Sequence, residues 1–183
     1  MSSPAAYPEW RYYPTWERPQ EWAVQLIEVV REAQPRIDSR KVSHLRSDLV
    51  LAELRDGLLA LGYEVEAGKT KPQKIRRPVL FGERGSERVA YEVDAVNDEI
   101  GVVVEVEAGR GARGNAVYRD LIRASLIVGA RYLAIGVMQS YRHLSGAREL
   151  DVASFHETEA QLDAVYASGR LRLPFDGLLL FGY

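Results

Sequence analysis

The chain has 183 residues, 46% of them hydrophobic and 27% charged, with a formal net charge of −2 and no cysteine. That length suits one sizeable core rather than two, the composition excludes wholesale disorder or a fibre, and the missing cysteines exclude disulfide frameworks, thiolate metal sites and thiol nucleophiles. A near-neutral total does not decide about nucleic acid, because local charge meets a phosphate backbone.

No apolar run approaches the roughly 20 residues that span a bilayer, and MSSPAAYPEWRYYPTWERPQ contains no apolar signal core. The expectation is a cytoplasmic protein with no membrane partner. Residues 1–20 hold four prolines and five Trp or Tyr residues, a mixture that discourages helix while offering apolar surface. They read as an irregular arm packed on the domain or on a partner chain, with residues 21–183 as a single domain.

From Pro19 to Ala33, Trp22, Leu26, Ile27 and Val30 fall at helical spacing, with Pro35 as the stop. A second helix is predicted from Ser43 to Ala60, closed at Gly62 and apolar most of the way round. Glu53 lies on a polar edge of it, either as a surface partner of Arg46 or Arg55 or as a fourth acid for a site. Tyr63 to Ala67 reads as a short strand. The following GKTKPQKIRRP is a basic loop in which Lys69, Lys71, Lys74, Arg76 and Arg77 are either solvated or in contact with phosphate.

A strand at Val79 to Phe81 and a turn at Gly82 to Ser86 come next. Then Val89 to Val96 and Ile100 to Glu107 form a hairpin about Asn97-Asp98. The VVV run within it suggests a strand covered on both faces. AGRGARGN is a glycine-rich loop with Arg110 and Arg113 but without the ending of a Walker loop. The helix predicted from Asn115 to Val128 has Val117, Leu121, Ala124 and Val128 on its apolar face and Arg119 and Arg123 on a polar one, spaced to grip phosphates. A strand at Arg131 to Val137, a helix at Ser154 to Ser168 and a strand at Gly177 to Phe181 complete a mixed α/β chain with a central sheet.

Three acids stand together in this order: Asp94 near the end of one strand, then Glu105 and Glu107 on one face at the end of the next. Carboxylates so close repel unless a cation or a shared proton holds them. Mg²⁺ commonly takes one or two carboxylates plus waters and a substrate phosphate, a need that Asp94 and Glu105 meet, with the Val106 carbonyl as a further oxygen. The same spacing also fits exposed strand ends paired with arginines. His44, His143 and His156 are too dispersed for a metal cluster or a triad.

The run Val93-Asp94, Val103-Val104-Glu105-Val106-Glu107 and the following Tyr118-Arg119-Asp120-Leu121 resembles the PD-(D/E)XK nuclease superfamily, the restriction-endonuclease-like fold. It is most similar to type II restriction enzymes with a Glu-x-Glu or Glu-x-Gln variant, over roughly residues 43–137. The resemblance implies a central mixed β-sheet flanked by helices with an αβββαβ core. It implies Asp94 and Glu105 as metal ligands, Glu107 at the usual lysine position and Glu53 at the helix acid that some members use. The activity implied is a Mg²⁺-dependent DNA endonuclease, Mn²⁺ substituting, acting as a homodimer, with RNA left open as a substrate. Val93 replaces the motif's proline and Glu107 its lysine. The alternative is therefore a catalytically inactive nuclease-fold protein that serves as a nucleic-acid-binding or assembly module.

Overall fold

The valine run forms the strand Val102–Glu107, in which Val102, Val103 and Val104 are all buried, as a β-branched run covered on both faces requires. The computed structural model describes residues 7–109, 115–146 and 148–183. In chain order the elements are β1 (Glu9–Tyr13), α1 (Glu21–Glu32), the single turn α2 (Gln34–Ile37), α3 (Ser47–Ala60), β2 (Glu64–Val65), β3 (Ile75–Phe81), β4 (Glu87–Val93), β5 (Ala95–Asn97), β6 (Val102–Glu107), α4 (Ala116–Ser125), β7 (Tyr132–Val137), β8 (Tyr141–Ser145), β9 (Arg148–Val152), α5 (Ser154–Ser168) and β10 (Gly177–Gly182).

The architecture is mixed α/β, with a mixed sheet flanked by helices. Six strands lie in the order β1-β10-β7-β6-β5-β2. β6, β7 and β10 run parallel, while β1, β5 and β2 are antiparallel to their neighbours. The α4 segment carries the crossover from β6 to β7 that parallel strands need. Side-chain alternation divides the core in two. Val102, Val104 and Val106 pack with Leu26, Val30 and Leu54 from α1 and α3. Val103, Leu133 and Ile135 pack with Val117 and Leu121 of α4 and Leu162 of α5 on the other face.

Several expectations are corrected. The aromatic segment is an edge strand rather than an irregular arm: β1 pairs antiparallel with β10 and buries Tyr12 and Tyr13 on opposite faces of the sheet. α1 ends at Glu32, ahead of Pro35 as expected, but Pro35 itself sits in the first turn of the further short helix α2, where its missing N–H costs nothing. The strand expected from Val89 to Val96 breaks at Asp94. Its first part pairs with β3 in a separate two-stranded ribbon, and only Ala95–Asn97 joins β6 in the hairpin. Arg76 and Arg77 lie on β3 rather than in a loop. The β8–β9 hairpin has no counterpart in the sequence reading.

A polar clip fixes the segment after α2 to the sheet. The Ser39 hydroxyl donates to the Tyr183 carbonyl and accepts from the Gln139 N–H at 2.9 Å. Next to it, the buried Asp38 carboxylate accepts from Arg40 Nε at 3.0 Å and Nη2 at 3.2 Å and from Gln34 at 3.3 Å. Burial pushes the Asp38 carboxyl up, and the hydrogen bonds from Arg40 and Gln34 outweigh it, holding the group down at about 2. A folded-state value below the free-chain one gives stability that is complete above about pH 4 and lost as pH falls through the folded value. Asp38→Asn should lower unfolding free energy by about 2 kcal/mol at pH 7, and denaturant titrations should show the gap closing between pH 4 and pH 2.

Candidate active site

Asp94 sits at the bend where the chain leaves the β3–β4 ribbon for the main sheet. Ala95 is the first residue of β5 and pairs with Val104, so the backbone of β6 runs on past its neighbour. The Val106 N–H, which has no partner on β5, is met by the Asp94 carboxylate at 2.7 Å. On the other side the Asp94 carbonyl accepts from the Glu66 N–H at 2.8 Å, which ties the bend to the end of β2.

Glu105 and Glu107 follow Val103 on the face that α4 covers. They stand at the C-terminal end of a parallel strand, the usual place for a ligand crevice in such sheets. Two acids outside the sequence reading join them. Asp120 of α4 is only 2% exposed, hydrogen-bonds Glu107 and is gripped by Arg119 Nε at 3.0 Å. Buried Glu66 accepts from Lys74 Nζ at 2.7 Å and repels Asp94. For Asp120 the signal was present: it falls between Val117 and Leu121 on the buried face of an amphipathic helix, where an unpaired acid is costly.

The electrostatics follow from this crowding. Burial, opposed by the Val106 N–H and reinforced by Glu66, pushes the Asp94 carboxyl up to about 6. Burial and repulsion from Asp94 and Asp120 drive Glu105 well above the usual carboxylate range, with Arg123 pulling the other way. Burial and the hydrogen bond and charge of Asp120 raise Glu107 to about 7, against the pull of Arg119. The charge of one cation opposes the rise at each acid: Lys74 for Asp94, Arg123 for Glu105, and Arg119, bonded directly, for Glu107.

The other expected residues are dispersed. Glu53 does not reach the acids; it is exposed and ion-pairs with Arg36 of α2. The basic loop is largely matched by acids, with Lys69 at 3.4 Å from Asp48, Arg76 at 3.6 Å from Glu87, and Arg77 at 2.6 Å from both Glu64 and Asp98. Lys71, Arg76 and Arg123 nonetheless line one groove of about 520 Å³ with Tyr91 and Glu92. Within it the Arg123 guanidinium lies 5.1 Å from the Tyr91 ring centre and donates to the Glu92 carbonyl at 3.2 Å. Arg110 and Arg113 lie outside the described residues.

Among the described residues, no three His, Asp or Glu side chains form a ready set of metal ligands. Asp94 and Glu105 could serve as the one or two carboxylates that Mg²⁺ takes when water and phosphate complete its octahedron. Hard oxygen donors with raised pKa values fit such a cation, because its charge relieves the repulsion that the fold imposes. Comparisons with family models, with curated proteins and with solved structures give no match to this chain.

Asp94 is held in a place that penalises its charge. A folded-state value of about 6 against an ordinary 3.8 means that the penalty is full above the higher value and fades as pH falls towards the lower. At full ionisation it amounts to about 3 kcal/mol, net of the hydrogen bond from the Val106 N–H that the value of about 6 already includes, and Asn, a weaker acceptor for that N–H, recovers only part of it. Asp94→Asn should therefore raise metal-free stability at pH 8 by about 1–2 kcal/mol, with the gain shrinking to nothing near pH 4. Thermal unfolding across that range checks it.

Proposed function

We propose that this chain is a Mg²⁺-dependent DNA endonuclease of the PD-(D/E)XK type, with Asp94 and Glu105 as metal ligands and Glu107 as the proton acceptor. The observation that carries the reading is the crowding of Asp94, Glu105 and Glu107 at the end of β6, with carboxyl groups raised above their ordinary values. The run α3, β2, β5, β6, α4, β7 supports it. Taken without the β3–β4 ribbon, its order of helix, three strands, helix and strand is the one expected of a restriction-endonuclease-like core.

Bound Mg²⁺ supplies charge that polarises the scissile phosphate and acidifies a water. The chain's own residues do the rest. The Val106 N–H fixes the Asp94 carboxylate, and Lys74, held by Glu66, sets a positive charge beside it. Glu107, raised to about 7, is matched to accept a proton at neutral pH. Water attacks phosphorus, its proton passes to a Glu107 carboxylate oxygen, and the phosphodiester bond breaks to release the leaving oxygen, which takes up a proton from solvent. The groove lined by Lys71, Arg76 and Arg123 is suited to the flanking phosphates.

One observation favours the second reading, a non-cleaving nucleic-acid-binding module. Arg119 already engages both Glu107 and Asp120, so the acid at the usual lysine position has an ion-pair partner within the fold itself. The two readings separate in one experiment. For a nuclease, plasmid DNA should be nicked with Mg²⁺ or Mn²⁺, and Glu105→Gln should lose at least about 100-fold in rate. Mg²⁺ should also raise the melting temperature of the wild type but not of Asp94→Asn. Intact DNA over varied lengths, sequences and metals, together with salt-sensitive binding that survives loss of Asp94 and Glu105, would overturn the catalytic reading.

A further inference from the structure

A cavity of about 590 Å³ opens between the segment after α2 and the β8–β9 hairpin, within the size range of small-ligand sites. Contacts to backbone and ring atoms link it to the strand that bears the acids. The Tyr183 hydroxyl donates to the Glu107 carbonyl at 2.8 Å, while the Tyr183 carbonyl accepts from Ser39, a cavity-lining residue. A Cβ at Gly109, two residues beyond Glu107, would stand 3.4 Å from the Tyr141 ring, which also lines the cavity.

The lining has a specific chemistry. Tyr141 and His143 are alternate residues of β8 and so share a face. Their rings stack with centroids 4.8 Å apart and planes 9° from parallel. Val42 and Leu45, from the segment after α2, add apolar surface. Arg142 adds a cation whose guanidinium is anchored on the Ser39 and Arg40 carbonyls at 3.4 and 3.2 Å.

A parallel ring pair beside apolar surface suits a flat aromatic ligand such as a nucleobase. We infer that this cavity takes the nucleobase of an unpaired nucleotide adjoining the scissile phosphate, an inference that rests on the phosphodiester reading of the neighbouring acids. Arg142 meets the phosphate of that nucleotide. A base inside a duplex cannot enter, so the substrate strand must be single or must extrude the base.

The test uses the full chain in EDTA and a short single-stranded DNA carrying 2-aminopurine at one position at a time. One position should be quenched on binding, and an abasic residue there should weaken binding roughly 5- to 150-fold, with little effect elsewhere. Tyr141→Leu and His143→Leu should abolish the quenching. The abasic series needs no altered protein, so a variant that misfolds cannot mask the outcome. Equal binding of intact and abasic strands at every position, quenching that survives Tyr141→Leu, or no binding at all overturns the inference. Position-specific quenching without Mg²⁺-dependent cleavage removes the catalytic reading alone, whereas cleavage without such quenching removes the base pocket alone.

Discussion

The hydrogen bond from the Val106 N–H to the Asp94 carboxylate is the interaction on which the site depends. A strand that outruns its antiparallel neighbour leaves amides facing empty space, and a buried amide needs a partner. Here a side chain takes the role of the missing strand residue. In doing so it brings Asp94 to the level of Glu105 and Glu107 and holds it where its charge is disfavoured. The same bend divides the structure, with the β3–β4 ribbon on one side and the main sheet on the other.

Around that bond the charges are arranged in opposed pairs. Lys74 comes from the start of the ribbon and Arg119 and Arg123 from α4. The three cations thus reach the acids from two separate elements. Full neutralisation is not achieved, because burial and mutual repulsion still raise all three carboxyl groups. A fold that keeps like charges together at some cost to its own stability fits a site shaped for a positively charged ligand and a reaction.

Much of the core was legible in the sequence, for physical reasons. The valine run, the amphipathic pattern of α4 and the crossover into β7 are each local and periodic. Asp94, Glu105 and Glu107 lie close in sequence, so a single hairpin sufficed to bring them together. What was missed depends on distant partners. Nothing in residues 9–13 announces that β10, over 160 residues away, will pair with them. The ion pairs of Lys69 and Arg77 with Asp48 and Glu64 join segments whose approach is set only by the sheet. Glu53 had a helical face that local spacing described correctly, but Arg36 of α2 became its partner. Asp120 was the avoidable omission, since an acid on an apolar helical face is a local signal.

The edge formed by β1 bears on how the protein avoids sticking to copies of itself. Leu178, Leu179, Leu180 and Phe181 make β10 an apolar strand buried on both faces, and its outer backbone edge would template further strands if left open. β1 caps that edge over five residues and then ends the sheet: Pro8 and Pro14 flank it, and neither can donate to a ladder. Glu9 and Arg11 add charge to the new border. The proline-rich segment thus makes the sheet a closed unit on that side, trading an aggregation-prone leucine edge for a short, charged one.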